Sequence, residues 1–198
     1  NDKIDHIEMK GVGINPQAFL KSLPKANLDF DATVVPAFTQ GLALEGSIDL
    51  ANHAAAPADA NGIPVRTLLA DFTVNDAGLV NIPAATATLL QKGTVTLSGT
   101  VDTAAEQLDL TALLNNITAP DAVQQQLAGS LNGDISVKGS YRDPETAWTF
   151  DTGNAVSTGL MQLQTDTALG QQTLLLKKVQ ILPTDGGELN AQGSLELF

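Results

Sequence analysis

Hydrophobic and polar residues alternate one by one along most of the chain. Leu28 and Phe30 alternate with Asp29 and Asp31. Leu42 and Leu44 follow, then Ile48 and Leu50 about Asp49. Phe72 and Val74 flank Thr73, Val95 and Leu97 flank Thr96, Leu108 and Leu110 flank Asp109. Ile135 and Val137 flank Ser136, and Trp148 and Phe150 flank Thr149. Leu174 and Leu176, Val179 and Ile181, and Leu195 and Leu197 complete the series. A period of two places successive side chains on opposite faces of a pleated strand. The pattern therefore predicts half-buried antiparallel strands, not the solid apolar runs of a parallel sheet covered on both sides.

Turn chemistry separates these runs. Asn75-Asp76-Ala77-Gly78 and Asp185-Gly186-Gly187 read as hairpin turns, with Asn132-Gly133 and Asn61-Gly62 as further candidates. Pro36, Pro64, Pro83, Pro144 and Pro183 are expected at strand ends, where a missing amide proton costs least. Ala54 to Ala60 reads as a loop or a disordered excursion, and Ala85 to Leu90 suits either strand or helix. Two segments break the rhythm. Asn15 to Leu23 has a capping residue, a proline at the first helical position and helically spaced apolar residues, and Pro120 to Leu127 repeats the arrangement. Both predict short helices of about two turns.

Gly-x-aliphatic-x-aliphatic recurs at Gly46–Leu50, Gly93–Leu97, Gly133–Val137 and Gly193–Leu197. The spacing is too irregular for a solenoid. It suggests one kind of strand start, with glycine at a bend or bulge, reused along an extended sheet. A sheet of 198 residues reads as a single domain spanning 1–198. The opening on Asn1 and the strand-like run at Leu195–Phe198 read as a piece of a longer polypeptide.

Composition narrows the partners. Apolar residues at 43% can build a folded protein, while 10 Lys and Arg against 22 Asp and Glu leave a net charge of −12. Nucleic acid requires clustered cations, and the densest cluster is Lys177-Lys178. Such a charge also repels an anionic membrane surface and discourages edge-to-edge association of strands. Aromatics at 4% disfavour stacking of sugars or bases. No cysteine is present, so disulfides, thiolate nucleophiles and thiolate metal sites are absent.

Candidate chemistry is thin. A Ser-His-Asp hydrolase would have to use His6 or His53, and no Gly-x-Ser-x-Gly elbow exists. Asp29-x-Asp31 is explained as the wet side of a strand rather than a metal site. Gly11-Val12-Gly13 is a fragment of a dinucleotide fingerprint with no βαβ unit behind it. Asn116-Ile117-Thr118 matches a glycosylation sequon. No catalytic, metal or cofactor residues are therefore expected. On the residues alone, the apolar stripe closes a sandwich or barrel core, or it borders a lipid path.

The stretch Pro120 to Phe150 carries a resemblance. A short helix leads into Leu127-Ala128-Gly129, then Leu131, Asn132, Gly133, Ile135, Val137 and Gly139, then Asp143-Pro144 and Trp148. That order resembles the repetitive sheet regions of the TamB/AsmA-like family of Gram-negative envelope proteins. The pattern recurs in part over most of the chain, least clearly from Leu42 to Ala60. The resemblance implies an elongated, curved, antiparallel-rich half-pipe, or β-taco, with an apolar concave face. It implies a periplasmic, non-enzymatic segment of a parent anchored in the inner membrane. Its ligand would be phospholipid or another acyl-chain lipid, moved between inner and outer membranes. Its partner would be a TamA-like outer-membrane barrel protein that assembles other barrels. Under this resemblance all the alternating residues named above, Leu28 through Leu197, become candidates for a lipid groove. The rival expectations are a scaffold pairing through its edge strand at Leu189 to Phe198, and a closed-core domain of a surface adhesin or passenger. Extracting a lipid tail into water costs roughly 0.8 kcal/mol per methylene, or about 12 kcal/mol for a 16-carbon chain. A continuous aliphatic wall supplies that shelter without recognising a headgroup.

Overall fold

The computed structural model describes residues 6–36, 42–57, 60–118, 130–166 and 171–197. The second expected helix, Pro120 to Leu127, lies outside the described residues. Twelve strands follow one another in chain order. They are β1 (Ile7–Ile14), β2 (Leu28–Pro36), β3 (Leu42–Asn52), β4 (Val65–Asn75), β5 (Leu79–Leu89) and β6 (Thr94–Asp102), then β7 (Gln107–Thr118), β8 (Ser130–Ser140), β9 (Glu145–Asp151), β10 (Ala155–Asp166), β11 (Gln171–Pro183) and β12 (Leu189–Leu197). The protein is thus mainly β, an unclosed meander with β1 and β12 at the two ends of the order. The chain divides into two compact units, Asn1–Ser98 and Gly99–Phe198.

In the N-terminal unit β1 through β5 pair as antiparallel neighbours. The Asn75 turn forms as its chemistry demands. Asn75 Oδ1 accepts from the amides of Ala77 (3.0 Å) and Leu79 (2.8 Å), and Gly78 takes φ 82°. The ambiguous run Ala85 to Leu90 is strand as far as Leu89. Pro83 lies inside β5 rather than at its end, where the register with β4 shifts between Asp71 and Thr73. A bulge leaves residues off the ladder, so the absent amide proton is not missed there.

The helix expected over Asn15 to Leu23 is a single 3-10 turn, Pro16–Ala18. The cap is as expected, since Asn15 Oδ1 accepts from the Gln17 amide at 3.2 Å. The helix does not continue because it has nothing to pack against: Phe19 and Leu20 stay exposed. Two turns without tertiary packing are marginal.

In the C-terminal unit β7 through β12 likewise pair as antiparallel neighbours. The Asp185 turn forms, with Gly186 and Gly187 at φ 101° and 92°. Asn132-Gly133 is not a turn but lies inside β8. Asn132 Oδ1 accepts from the Asn116 amide (2.8 Å), clamping the bulge of β7 between Leu114 and Ile117. Of the four motif glycines only Gly93 precedes its strand; Gly46, Gly133 and Gly193 sit within β3, β8 and β12.

Candidate functional site

Directly opposed residues of an antiparallel pair share a face, so the registers place each alternating residue. In the N-terminal unit Leu28 faces Ile14 and Asn52, Phe30 faces Leu50, Ala32 faces Ile48, and Pro36 faces Leu44. Continuing outward, Leu44 faces Val74, Ile48 faces Ala70 and Leu50 faces Leu68. Leu68 and Ala70 in turn face Ala87 and Ala85. Leu42 is set opposite Asn75 across a register shift. The hydroxyls of Thr86 and Thr96 approach to 3.5 Å on the other side, which turns Val95 and Leu97 to the side of Ala85 and Ala87. The other side carries Lys10, Asp31 and Asp49 in one row and Thr33, Ser47 and Asp71 in another. Val35 and Leu69 are large apolar residues on that side, both exposed, and Ala51 and Ala84 lie there too.

The C-terminal unit repeats the pairing of apolar residues, although its other side also carries Leu113, Val156, Leu160, Leu175 and Leu182. Leu110 faces Val137 and Ala112 faces Ile135, while Leu108 faces Gly139. Ile135 faces Trp148. Met161 faces Leu176, Leu163 faces Leu174, and Ser157 lies between Phe150 and Ile181. Leu174 faces Leu195, Ile181 faces Leu189, Val179 faces Ala191, and Leu197 faces Gln172. Each unit therefore brings its share of the alternating residues together on one side.

Most of the described residues on that side are half-buried. Among the described residues Ala26 and Ala32 are the buried hydrophobics, and no large side chain is fully buried. Leu195 is 59% exposed.

The registers also reveal something alternation does not. Four aromatic side chains each face a glycine on the next strand: Phe30 with Gly11, Phe72 with Gly46, Phe150 with Gly133, and Trp148 with Gly159. At Gly11, Gly46 and Gly159 the ring occupies the place a Cβ would take. At Gly133 the Thr149 carbonyl takes that place, with the Phe150 ring close by. The rings thus lie down against the backbone of the neighbouring strand and cover its bare peptide groups. Trp148 and Phe150, two apart on β9, stack at 6.5 Å between centroids and 27° between planes. The repeat had marked Gly46 and Gly133, but their partners appear only once strands are paired.

The candidate chemistry resolves into surface contacts. His53 Nε2 stands 2.8 Å from Asp29 Oδ2, and the Gly13 amide donates to Asp29 Oδ1 at 2.8 Å. The Gly13 amide chiefly, and then His53, holds the Asp29 carboxyl below its ordinary value. The triangle ties the bulge of β1 to β2 and the end of β3. His6 lies 3.6 Å from Glu8. Asp31 is bound by Lys10 at 3.0 Å and faces Asp49. Among the described residues no group of three His, Cys, Asp or Glu could hold a metal ion. Asn116 of the sequon sits in the β7 bulge with φ 53°. A shallow depression of about 350 Å³ on the polar side of the N-terminal unit is rimmed by Thr33, Glu45, Ser47, Asp71 and Thr73. No helix among the described residues is long and apolar enough to cross a membrane.

No family model, no curated protein and no solved structure matches the chain.

Proposed function

We propose that the chain is a section of an apolar-walled half-pipe that shelters phospholipid acyl chains on their way between membranes. The setting proposed is the periplasm of a Gram-negative cell, within a parent protein anchored in the inner membrane, and no enzymatic step is involved. What supports the reading is the apolar wall: in each unit aliphatic and aromatic residues of successive strands face one another, and none of the large ones is fully buried. Water on such a wall costs roughly 25 cal/mol per Å², and contiguous exposed apolar patches on proteins are usually occupied in use. An alkyl chain lying along the wall recovers that energy for both surfaces. Photo-crosslinkers at Leu97, Val137 and Leu176 should capture phospholipid in cells, whereas Thr96 and Ser136, on the polar side of the same strands, should not. Equal labelling on both sides would sink the proposal.

One observation favours a second reading, a scaffold that pairs through β12. Eight of its nine residues are exposed, it carries one charge, Glu196, and it contains no proline. Guarded sheet edges usually have several charges, a bulge or a proline. β1 meets that description, with Glu8, Lys10 and the Gly11/Ile14 bulge. A TamA-like soluble domain retained equally by chains with and without residues 189–198 would remove this reading.

A further inference from the structure

We propose that the end of the N-terminal unit where β1, β3 and β5 finish docks on an anionic lipid bilayer, with Phe19, Leu20 and Leu23 entering the headgroup layer. This contact is separate from the apolar wall: either could exist without the other.

The connection from β1 to β2 presents its apolar residues to water. Phe19 is 77% exposed, Leu20 57% and Leu23 39%, and Val12, in the bulge just before it, is 80% exposed. They are not the fraying tip of a loose loop. Beyond the 3-10 turn the backbone is held by a Leu20 amide to Pro16 carbonyl bond of 3.2 Å and a Leu23 amide to Leu20 carbonyl bond of 3.0 Å. The base of the connection is laced to its neighbour. Lys25 donates its amide to the Asn61 carbonyl at 2.9 Å, His53 donates its amide to the Asn27 carbonyl at 2.8 Å, and Ala26 is buried. The Leu90 amide reaches the Pro64 carbonyl at 2.8 Å, so the β5–β6 turn joins the same end.

Charge distinguishes this end from the rest of an acidic chain. From Glu8 to Asp29 the sequence holds no carboxylate between them, only Lys10, Lys21 and Lys25. Arg66 at the start of β4 and Lys92 in the β5–β6 turn stand at the same end, both exposed. Lys10, Lys138, Arg142 and Lys177 are each paired with a carboxylate. Among the described residues Lys21, Lys25, Arg66 and Lys92 make no ion pair. Asp59, the carboxylate of the β3–β4 connection, lies outside the described residues. Glu45, Asp71 and Asp76 lie toward the other end of their strands, on the order of 20 Å away at ~3.3 Å per residue. That exceeds the Debye length of about 8 Å at physiological salt, so those three contribute little here; of the nearer carboxylates Asp29 is held by the Gly13 amide and His53, Asp31 is paired with Lys10, and Asp49 stands back along β3, facing Asp31.

Uncompensated lysines beside a small apolar tip fit a bilayer better than a protein. A stable protein interface needs roughly 800 Å² from each partner, more than one short loop offers. Lysine keeps its ammonium hydrated at headgroup level while its stem lies along apolar surface. Membrane-surface binding combines this attraction with shallow insertion of Phe and Leu.

The test is flotation of the 198-residue protein with vesicles of phosphatidylcholine alone or mixed with phosphatidylglycerol. The protein should rise with the mixed vesicles, less so as salt increases, and weakly with phosphatidylcholine. Phe19→Ser with Leu20→Ser should weaken binding at least tenfold. Lys21→Gln with Lys25→Gln should weaken it about 25-fold, from roughly 1 kcal/mol, or fivefold, per lysine near the surface. Leu69→Ser, an exposed residue on the polar side of β4, should leave flotation unchanged, and circular dichroism should report the same fold in every variant. Absence of flotation, as expected if the tip serves a protein instead, overturns the proposal, and so does undiminished flotation of the Phe19/Leu20 variant. Flotation without lipid labelling at Leu97 and Leu176 would refute the conduit and leave the docking contact standing.

Discussion

Gly159→Ala probes whether the rings truly rest on the glycines. Gly159 sits on β10 opposite Trp148, and an added Cβ there would collide with the indole. Its backbone is not left-handed, so the perturbation is steric alone. Without a collision, Gly→Ala stabilises by about 0.4–1 kcal/mol through the unfolded chain. Overpacking costs about 1–3 kcal/mol, so a net loss of roughly 1–2 kcal/mol is expected. At about 2–4 °C per kcal/mol for a chain of this size, the melting midpoint should fall by about 2–8 °C. Gly193 is an internal control: it lies opposite Leu176 on β12, its backbone is not left-handed, and a Cβ there would meet nothing within 4 Å. Gly193→Ala should hold or raise the midpoint. Melts followed by far-ultraviolet circular dichroism and by fluorescence separate the two, because Trp148 is the sole tryptophan. Its emission should shift in the Gly159 variant and stay put in the Gly193 variant. In a Trp148→Ala background the Gly159 penalty should vanish, a coupling of about 1–3 kcal/mol. A Gly159 variant as stable as the parent, or a penalty that persists without the indole, would refute the packing argument.

Asn52 is buried and bonds four backbone groups, accepting from the Asn27 and Ala54 amides and donating to the Ile63 and Val65 carbonyls. Asn52→Ala should cost about 2–4 kcal/mol, since each orphaned buried group costs about 1–3 kcal/mol; urea denaturation within about 0.5 kcal/mol of the parent would contradict that. The Asp29 carboxyl is held below its ordinary value by the Gly13 amide first and then by His53. A depressed carboxyl contributes its stability above the unfolded value and loses it as pH falls through the folded value. The Gly13 amide resonance should therefore hold steady above about pH 5 and move only at lower pH, together with the Asp29 carboxyl; a midpoint above the ordinary carboxyl value would count against the Gly13 and His53 bonds.

How much of this was readable in advance follows from how local each signal is. The strands were, because alternation such as Leu28-Asp29-Phe30-Asp31 involves a few neighbouring residues and the pleat converts it directly into two faces. The Asn75 and Asp185 turns were, because their glycines and side-chain acceptors act within the turn. Asn132-Gly133 misled because its chemistry suits two ends: here the amide oxygen clamps a bulge on another strand and the glycine passes beneath a neighbouring strand. The Asn15 segment carried a correct cap but no surface on which to pack, a matter of tertiary context that spacing does not encode. Pro83 could be placed only once the β4–β5 register was known. The ring-over-glycine seats were illegible for the same reason, since Gly11 and Phe30 become neighbours only through pairing. Nor could the total charge of −12 show that Lys21, Lys25, Arg66 and Lys92, which make no ion pair among the described residues, stand at one end of the N-terminal unit.

In each unit the pairings join every strand to the strands beside it in the chain. Such a meander has a modular grammar. Adding or deleting one hairpin changes the count of strands while leaving every other adjacency as it was, so lineages can lengthen or shorten the protein by duplication without inventing a topology. The same locality keeps loop-closure entropy small at each step, so strands can zip on one after another, as early as synthesis exposes them.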